Sequence, residues 1–456
     1  MGGNVFALDS RGQMHKGWGL MQPVIIPREQ HTVSRKDISP EALKVLYRLR
    51  EAGYTAFLAG GCVRDLLLGR TPKDFDVATN ARPEEVRRAF GHCRIIGRRF
   101  RLAHVVFGPK VIEVATFRSN PSGETRHAQV EDGLVVRDNE YGSPEEDALR
   151  RDFTVNALFY DIDTFSLIDF AGAMEDIRRR RLHCIGNPDQ RYVEDPVRML
   201  RAVRFAGSIG LEFEKETYDA ILRNRHQLAN AAPARLHEEM LKFLHSGSAE
   251  TCLPMLLETG LLDFLFADWA VWWRESATDR DKEWIAAALR TMDRFKKNGH
   301  AASPALIYGL LFGSYHRALA ARLQEEEGLL PVAAIMEAVT RHHRSITRNV
   351  TLPQKMMLHL RHLVSTPSRF ERMDEHRAAL LAQRYYFRDA VIFYKFSAPF
   401  TGAPAENVAW WTDFLRRAPE VPPEDERLHP GRGSLGAEPV EVPFLRLPAA
   451  MEAVVA

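Results

Sequence analysis

Residues 54–65 read Tyr54-Thr55-Ala56-Phe57-Leu58-Ala59-Gly60-Gly61-Cys62-Val63-Arg64-Asp65; beyond Leu66 to Pro72 comes Lys73-Asp74-Phe75-Asp76-Val77. The run 54–59 predicts a strand, Gly60-Gly61 breaks it, and 63–68 begins a helix. Residues 73–77 predict a second strand, on which Asp74 and Asp76 share one face while Phe75 and Val77 turn to the other, toward a core. Two carboxylates held this close repel, and a shared divalent cation is the simplest relief. Oxygen-only ligands suit Mg²⁺, which keeps waters and accepts phosphate oxygens. The Gly-Gly turn lets the backbone N–H groups of a helix start approach a triphosphate closely. Arg64 lies in the first turn of that helix, within reach of the same phosphates. An isolated Asp-x-Asp is more often a solvated pair at a strand end. The Gly-Gly-x-x-Arg-Asp element before it turns the reading toward phosphoryl transfer from a nucleoside triphosphate.

On either side the pattern continues in kind. Residues 40–52 predict a helix with Ser39 as N-cap and Gly53 past its end. A further helix is expected over 83–90. Residues 103–107 and 111–117 predict a hairpin joined by Gly108-Pro109-Lys110. Alternating strands and helices imply an α/β or α+β unit. The polar stretch 119–133 reads as a mobile loop. After about residue 190 strand signals fade, and 195–205, 233–244 and 285–295 carry helical spacing. Residues 1–23 show no period. Between Pro419 and Pro448 stand seven prolines, and from Ala418 onward seven acidic residues face three arginines, so 417–456 reads as a disordered tail and not a basic arm. The expected organisation is 1–23 irregular, 24–180 catalytic head, 181–260 helical neck that binds nucleotide and RNA, 261–416 helical body and tail, and 417–456 disordered.

Composition narrows the function classes. The 62 Lys and Arg against 60 Asp and Glu leave a net charge of +2, so any nucleic-acid contact must come from local clusters. The four cysteines, Cys62, Cys93, Cys184 and Cys252, form no CxxC pair, which argues against a zinc site or a disulfide framework. No apolar run is long enough to span a membrane, and no secretory signal opens the chain, so a reduced cytoplasmic setting is expected.

A third carboxylate is expected beside Asp74 and Asp76. Glu113, inside the apolar run Ile112-Glu113-Val114-Ala115, and Asp152, in Arg150-Arg151-Asp152-Phe153-Thr154-Val155-Asn156, are the two candidates. Glu113 reads equally as a buried carboxylate paired with an arginine. On a helix over 195–205, Met199, Leu200, Val203 and Ala206 form the apolar arc, and Asp195, Arg198, Arg201 and Arg204 the opposite one. Pro196 suits the first helical position, with Asp195 as N-cap. A solvated face is the plain reading of such a helix. The functional one is base recognition: a carboxylate accepts from the exocyclic amino group of adenine or cytosine while an arginine donates to the adjacent ring acceptor, and guanine and uracil are rejected. Arg94, Arg98, Arg99 and Arg101, and the run Arg178 to Arg181, suit RNA phosphates or plain surface charge. His31 and His104 read as ordinary core or surface histidines.

Taken together, these motifs resemble the class II template-independent nucleotidyltransferases, the family of bacterial poly(A) polymerases and CCA-adding tRNA nucleotidyltransferases. The resemblance implies an α+β fold with a DNA polymerase beta-like nucleotidyltransferase head followed by all-α neck, body and tail regions. It implies Mg²⁺ on Asp74 and Asp76, and Asp152 as a further catalytic residue. Gly60, Gly61 and Arg64 would meet the triphosphate and Arg151 the nucleotide, Asp195 and Arg198 would read the base, and Arg201 and Arg204 would support them. ATP and RNA 3′ ends are the implied partners, with no membrane and no DNA template. Gly97-Arg98-Arg99-Phe100-Arg101-Leu102-Ala103-His104 and Pro27-Arg28-Glu29-Gln30-His31 resemble segments that mark the poly(A) branch, whereas the acidic tail departs from that branch's basic one. The expected activity is polynucleotide adenylyl transfer, with CCA addition to tRNA as the alternative and a non-catalytic RNA-binding protein as a rival from another class.

Overall fold

The computed structural model describes residues 22–97, 101–119, 141–346 and 349–418, with the backbone of four short strands besides. Two compact units are formed, Met1–Met357 and Leu358–Ala456. The first is built on an eight-stranded sheet of β1 (Val24–Ile26), β2 (Ala56–Ala59), β3 (Asp76–Thr79), β4 (Cys93–Ile96), β5 (Leu102–Phe107), β6 (Lys110–Thr116), β7 (Leu158–Tyr160) and β8 (Leu167–Asp169). Across the sheet the order is β1-β8-β7-β2-β3-β6-β5-β4. All neighbours are antiparallel except β3 and β6, which run parallel.

The centre of the sheet is covered on both faces, which is why β2 is apolar at every position and fully buried. The Pro40–Glu51 helix packs on β2 and β3 and buries Val45, Leu46 and Leu49. Ser39 caps it, its side-chain oxygen accepting from the Ala42 N–H, as expected. Elsewhere Phe57, Ala59, Ala78 and Phe159 join Phe117, Ala148 and Ile185 in one apolar cluster. The β5–β6 hairpin turns through Gly108 at φ 57.

Several bounds differ from expectation. The strand expected over 73–77 begins only at Asp76, the first residue with ladder partners on both sides, Ala59 and Glu113. Lys73 and Asp74 lie in the bend before it. The helix after the Gly-Gly turn starts at Gly61, because Gly60 alone makes the turn at φ 77. Within the stretch expected to be loop, Gln129–Glu131 pairs with Leu134–Arg137, while 120–128 lie outside the described residues. In the N-terminal segment expected to be irregular, Ala7–Leu8 pairs with Met14–His15. The tail expectation over 419–456, and Arg98 and Arg99, also fall outside the described residues. Past residue 190 the described chain is helical apart from Glu212–Phe213, which pairs with Arg181–Leu182. The second unit is helical around Phe370, Ala390, Tyr394, Trp411 and Phe414. Among the described residues no helix is long and apolar enough to cross a membrane.

Candidate active site

Strand register assembles the carboxylates. Asp76 stands opposite Glu113, Glu113 opposite His104, and His104 opposite Arg94, so four polar side chains form one row across β3, β6, β5 and β4. Residues directly opposite in a ladder share a face, so the row lies on one side of the sheet. His104 Nε2 lies 3.4 Å from Glu113 Oε1. Asp74, in the bend ahead of β3, is open to solvent, with Lys73 Nζ 3.7 Å from its Oδ2. The carboxyl of Asp76 is pushed up to about 6: surrounding protein strips part of its hydration, then the Glu113 and Asp74 carboxylates repel its charge, against the pull of Arg151. Its side chain nevertheless remains reachable by solvent.

Among the described residues no group of three or more His, Cys, Asp and Glu side chains is arrayed as a ready metal cage. Asp76 and Glu113, with Asp74 just before them, supply oxygen donors and crowded negative charge. That set fits Mg²⁺, which takes one or two carboxylates and fills its remaining positions with water and phosphate oxygens.

The turn beside the row is built for close approach. Gly60 adopts φ 77, ψ −134, and a Cβ there would sit 2.8 Å from Arg151 Nη1. Arg151 is fixed there by donating to the Asn156 carbonyl at 3.1 Å and to Asp147 Oδ2 at 2.8 Å, and it lies over the Phe159 ring. Gly61 opens the helix, and Cys62 behind it is buried, its Sγ donating to the Ala59 carbonyl. Arg64, expected within reach of the triphosphate, is braced by the protein itself. It is 7% exposed, and its guanidinium donates to Asp65 Oδ1 and to Asn156 Oδ1.

From Arg64 a polar ladder runs inward. Asn156 Nδ2 donates to Asp152 Oδ1 at 3.0 Å, and Arg201 donates to Asp152 Oδ2 through Nε at 2.7 Å. Burial alone would raise the Asp152 carboxyl, but Arg201 and the Asn156 amide outweigh it and hold it at about 2. The guanidiniums of Arg64, Arg201 and Arg204 lie 5.1, 5.1 and 4.4 Å from the centroid of the Phe205 ring. Arg204 also donates to buried Glu239 at 2.6 Å. Asp152 therefore ties the head to the helix carrying Arg201, and Glu113 is the carboxylate that register places beside Asp76.

The helix of arginines starts later than its spacing suggests. It spans Val197–Phe205, Pro196 is its N-cap, and Asp195 closes the preceding Pro188–Glu194 helix. Met199, Leu200, Val203 and Ala206 are buried as expected. Asp195 stands in the hinge between the helices and accepts two parallel bonds of 2.8 Å from Arg235. Arg198 Nη1 donates to Glu194 and to the Arg191 carbonyl, so it is steadied beside Asp195. Arg191 in turn donates to the Arg150 and Arg151 carbonyls, which locks the hinge to the head.

Sequence reasoning missed Arg235, Asn156, Arg191 and Glu239. Asn156 had a signal, since it ends the Arg150-to-Asn156 cluster; Arg235 and Glu239 had none, lying on the Pro233–Leu244 helix far along the chain.

Family models match the chain in three segments: the poly A polymerase head domain over 56–183, the probable RNA and SrmB-binding site of polymerase A over 210–272, and the polymerase A arginine-rich C-terminus over 327–430. Poly(A) polymerase I of Salmonella typhimurium is 41% identical over 401 residues, covering 87% of this chain and 86% of its own. The CCA-adding enzyme of Geobacillus thermodenitrificans is 39% identical over 249 residues, 54% of this chain and 60% of its own. The CCA-adding enzyme of Bacillus stearothermophilus, solved in complex with CTP, superposes with a TM-score of 0.56 at 29% identity, covering 83% of this chain and 82% of that one.

Proposed function

The chain belongs to the poly(A) polymerase family of template-independent nucleotidyltransferases, and we propose that it is a polynucleotide adenylyltransferase adding AMP from ATP to RNA 3′ ends. One observation carries the choice of branch: likeness to a poly(A) polymerase runs through nearly the whole chain, whereas likeness to a CCA-adding relative covers about half of it.

The RNA 3′-oxygen bonds to the α-phosphorus of ATP as the bond from that phosphorus to pyrophosphate breaks, the electron pair leaving with pyrophosphate. Bound Mg²⁺ would lower the hydroxyl's pKa and offset phosphate charge. Asp74 and Asp76 are the residues to hold it. Glu113 shares the face of Asp76, where it can take part of the metal's charge or the hydroxyl's proton. Gly60 and Gly61 keep side chains away from the triphosphate, and Arg151, poised against Gly60, is the cation to meet it. Arg64 and Asp152 act one layer behind, bracing the turn and the Arg201 helix. Asp195 accepts from the adenine amino group while Arg198 donates to the ring nitrogen. We place the activity in the cytoplasm.

The test is extension of an unstructured RNA with ATP and Mg²⁺. A long run of A is expected. On tRNA lacking its CCA end, addition of C, C, A followed by a stop would move the enzyme to the other branch. Asp76→Asn is expected to abolish transfer while raising the melting temperature of the metal-free protein, because it removes a charge disfavoured first by lost hydration and then by Glu113 and Asp74, about 1 kcal/mol after solvent screening. Retained transfer, or a lowered melting temperature, would assign Asp76 a structural part.

A further inference from the structure

The second unit contains an open cavity of about 490 Å³ that the proposed chemistry does not use. Arg369, Arg372, Arg377 and Arg384 line it, with Glu371 as the one carboxylate in its wall. All four arginines are exposed, and among the described residues none of them makes an ion pair. Arg417 of the same unit, by contrast, holds both Glu375 and Asp413. Four guanidiniums against the single carboxylate of Glu371 leave a net positive field around the recess. His362, stacked on Tyr386, registers that field: it is pushed below its ordinary value first by burial and then by Arg369, with Arg384 adding to it.

The floor supplies the other half of the chemistry. Leu381 and Trp411 are buried in it and Leu380 is 54% exposed at its edge. Trp411 is rigid, its Nε1–H donating to the Phe370 carbonyl at 2.9 Å. The cavity's apolar lining is limited to Leu380, Leu381 and Trp411, too little for the continuous groove that a partner helix needs. Its arginines come from the Thr366–Arg369 turn, the Glu375–Ala382 helix and the two links on either side of that helix. Phosphates spaced along a flexible backbone suit such a rim, and guanidinium planes also stack on bases.

We propose that this cavity is a second RNA-binding site, taking a stretch of single-stranded phosphodiester backbone upstream of the 3′ end, with one base laid against Leu380 and the guanidinium planes. The inference rests on the reading that RNA is the substrate, and it assigns to the second unit a grip that is independent of the carboxylate row.

The experiment measures binding of an unstructured 20-nucleotide RNA to the full chain across a salt series, together with steady-state adenylation. Each phosphate contact on a single strand steepens the salt dependence by about 0.7. The double variant Arg372→Ala with Arg384→Ala is therefore expected to flatten the slope by about 1.4 and weaken binding roughly 10-fold at moderate salt. The KM for RNA should rise by the same factor with kcat at saturating RNA unchanged, and Arg372→Lys with Arg384→Lys should restore most of the slope. Both side chains are exposed, so matched melting curves will show that folding is intact. Wild-type slope and affinity in the alanine variant would overturn the proposal. So would poly-glutamate binding as tightly as RNA and lost in the same variant, which would point to an acidic protein partner. If wild-type protein binds RNA with the expected slope yet transfers no AMP, the adenylyltransferase reading falls and the cavity stands; if transfer proceeds and the variant is silent, only the cavity falls.

Discussion

Asp152 shows how one side chain's partners determine its part. It belongs to the cluster Arg150 to Asn156, and by pattern it could serve the metal. In the fold both its oxygens are occupied, by Arg201 and by Asn156 with the Phe153 N–H. Its carboxyl is held at about 2, below its unfolded value near 3.8. A depressed carboxylate contributes stability that is present above the unfolded pKa and lost as pH falls toward the folded one, so this term fades between about pH 4 and 2 and amounts to roughly 2 kcal/mol. Arg201→Ala should destabilise by about 3 kcal/mol, because it takes the main cation from the buried Asp152 carboxylate, and Asp152→Ala by less, because Arg201 is partly open to solvent. In urea unfolding the double variant should cost clearly less than the sum. Additive losses would mean that the pair is not coupled.

At the scale of elements, bounds decided more than types. Strand, turn, helix and strand all occur where 54–77 implies them, yet Asp74 and Asp76 are not neighbours along one strand. Asp76 opens β3, and its companion is Glu113 on the parallel strand β6. Likewise Asp195 belongs to a hinge between two helices, where Arg235 grips its side chain. The turn at Gly60 is the element on which the site is most exposed to damage. Its φ of 77 is costly for any residue with a Cβ, and that Cβ would press on an Arg151 already held at two points. Gly60→Ala is expected to cost about 1–3 kcal/mol in thermal unfolding. It should also lower the transfer rate by more than Gly69→Ala, at a left-handed glycine with open space around it. Equal losses in the two variants would show that backbone strain alone matters there.

Across the whole molecule, stability and chemistry are kept in different places. Far from the carboxylate row, the Pro304–Glu327 and Pro331–Ile346 helices bury His316 and His342 against each other, Nε2 to Nδ1 at 2.9 Å. Both imidazoles are neutral: burial pushes His316 down to about 3, and burial with its histidine neighbours pushes His342 well below its ordinary value. A histidine lowered in the fold contributes nothing above its unfolded pKa, where both states are neutral, and opposes folding below it, where only the unfolded state takes the proton. Stability should therefore fall by about 1.4 kcal/mol per pH unit for each imidazole once pH drops under about 6.5. Denaturant melts at pH 7, 6 and 5 test this, and His316→Phe should flatten the acid slope; an unchanged slope would place the acid sensitivity elsewhere.

What could be read from the chain alone were features written into contiguous residues: the glycine turn, the paired aspartates, the arginine helix, the capped first helix and the α+β order of the head. Short-range pattern carries these because a turn, a cap or a helical face involves residues within a few positions of one another. The partners of those residues came from folding. Glu113 meets Asp76 through strand register, Arg235 meets Asp195 across 40 positions, and Arg64 turns inward because the side-chain oxygen of Asn156, 92 positions on, accepts its hydrogen bond. The four arginines of the second unit are scattered over 16 residues and become a site only when a turn, a helix and a buried indole close around one recess. Such pairings are won by packing and register over the whole core, and no local spacing encodes them.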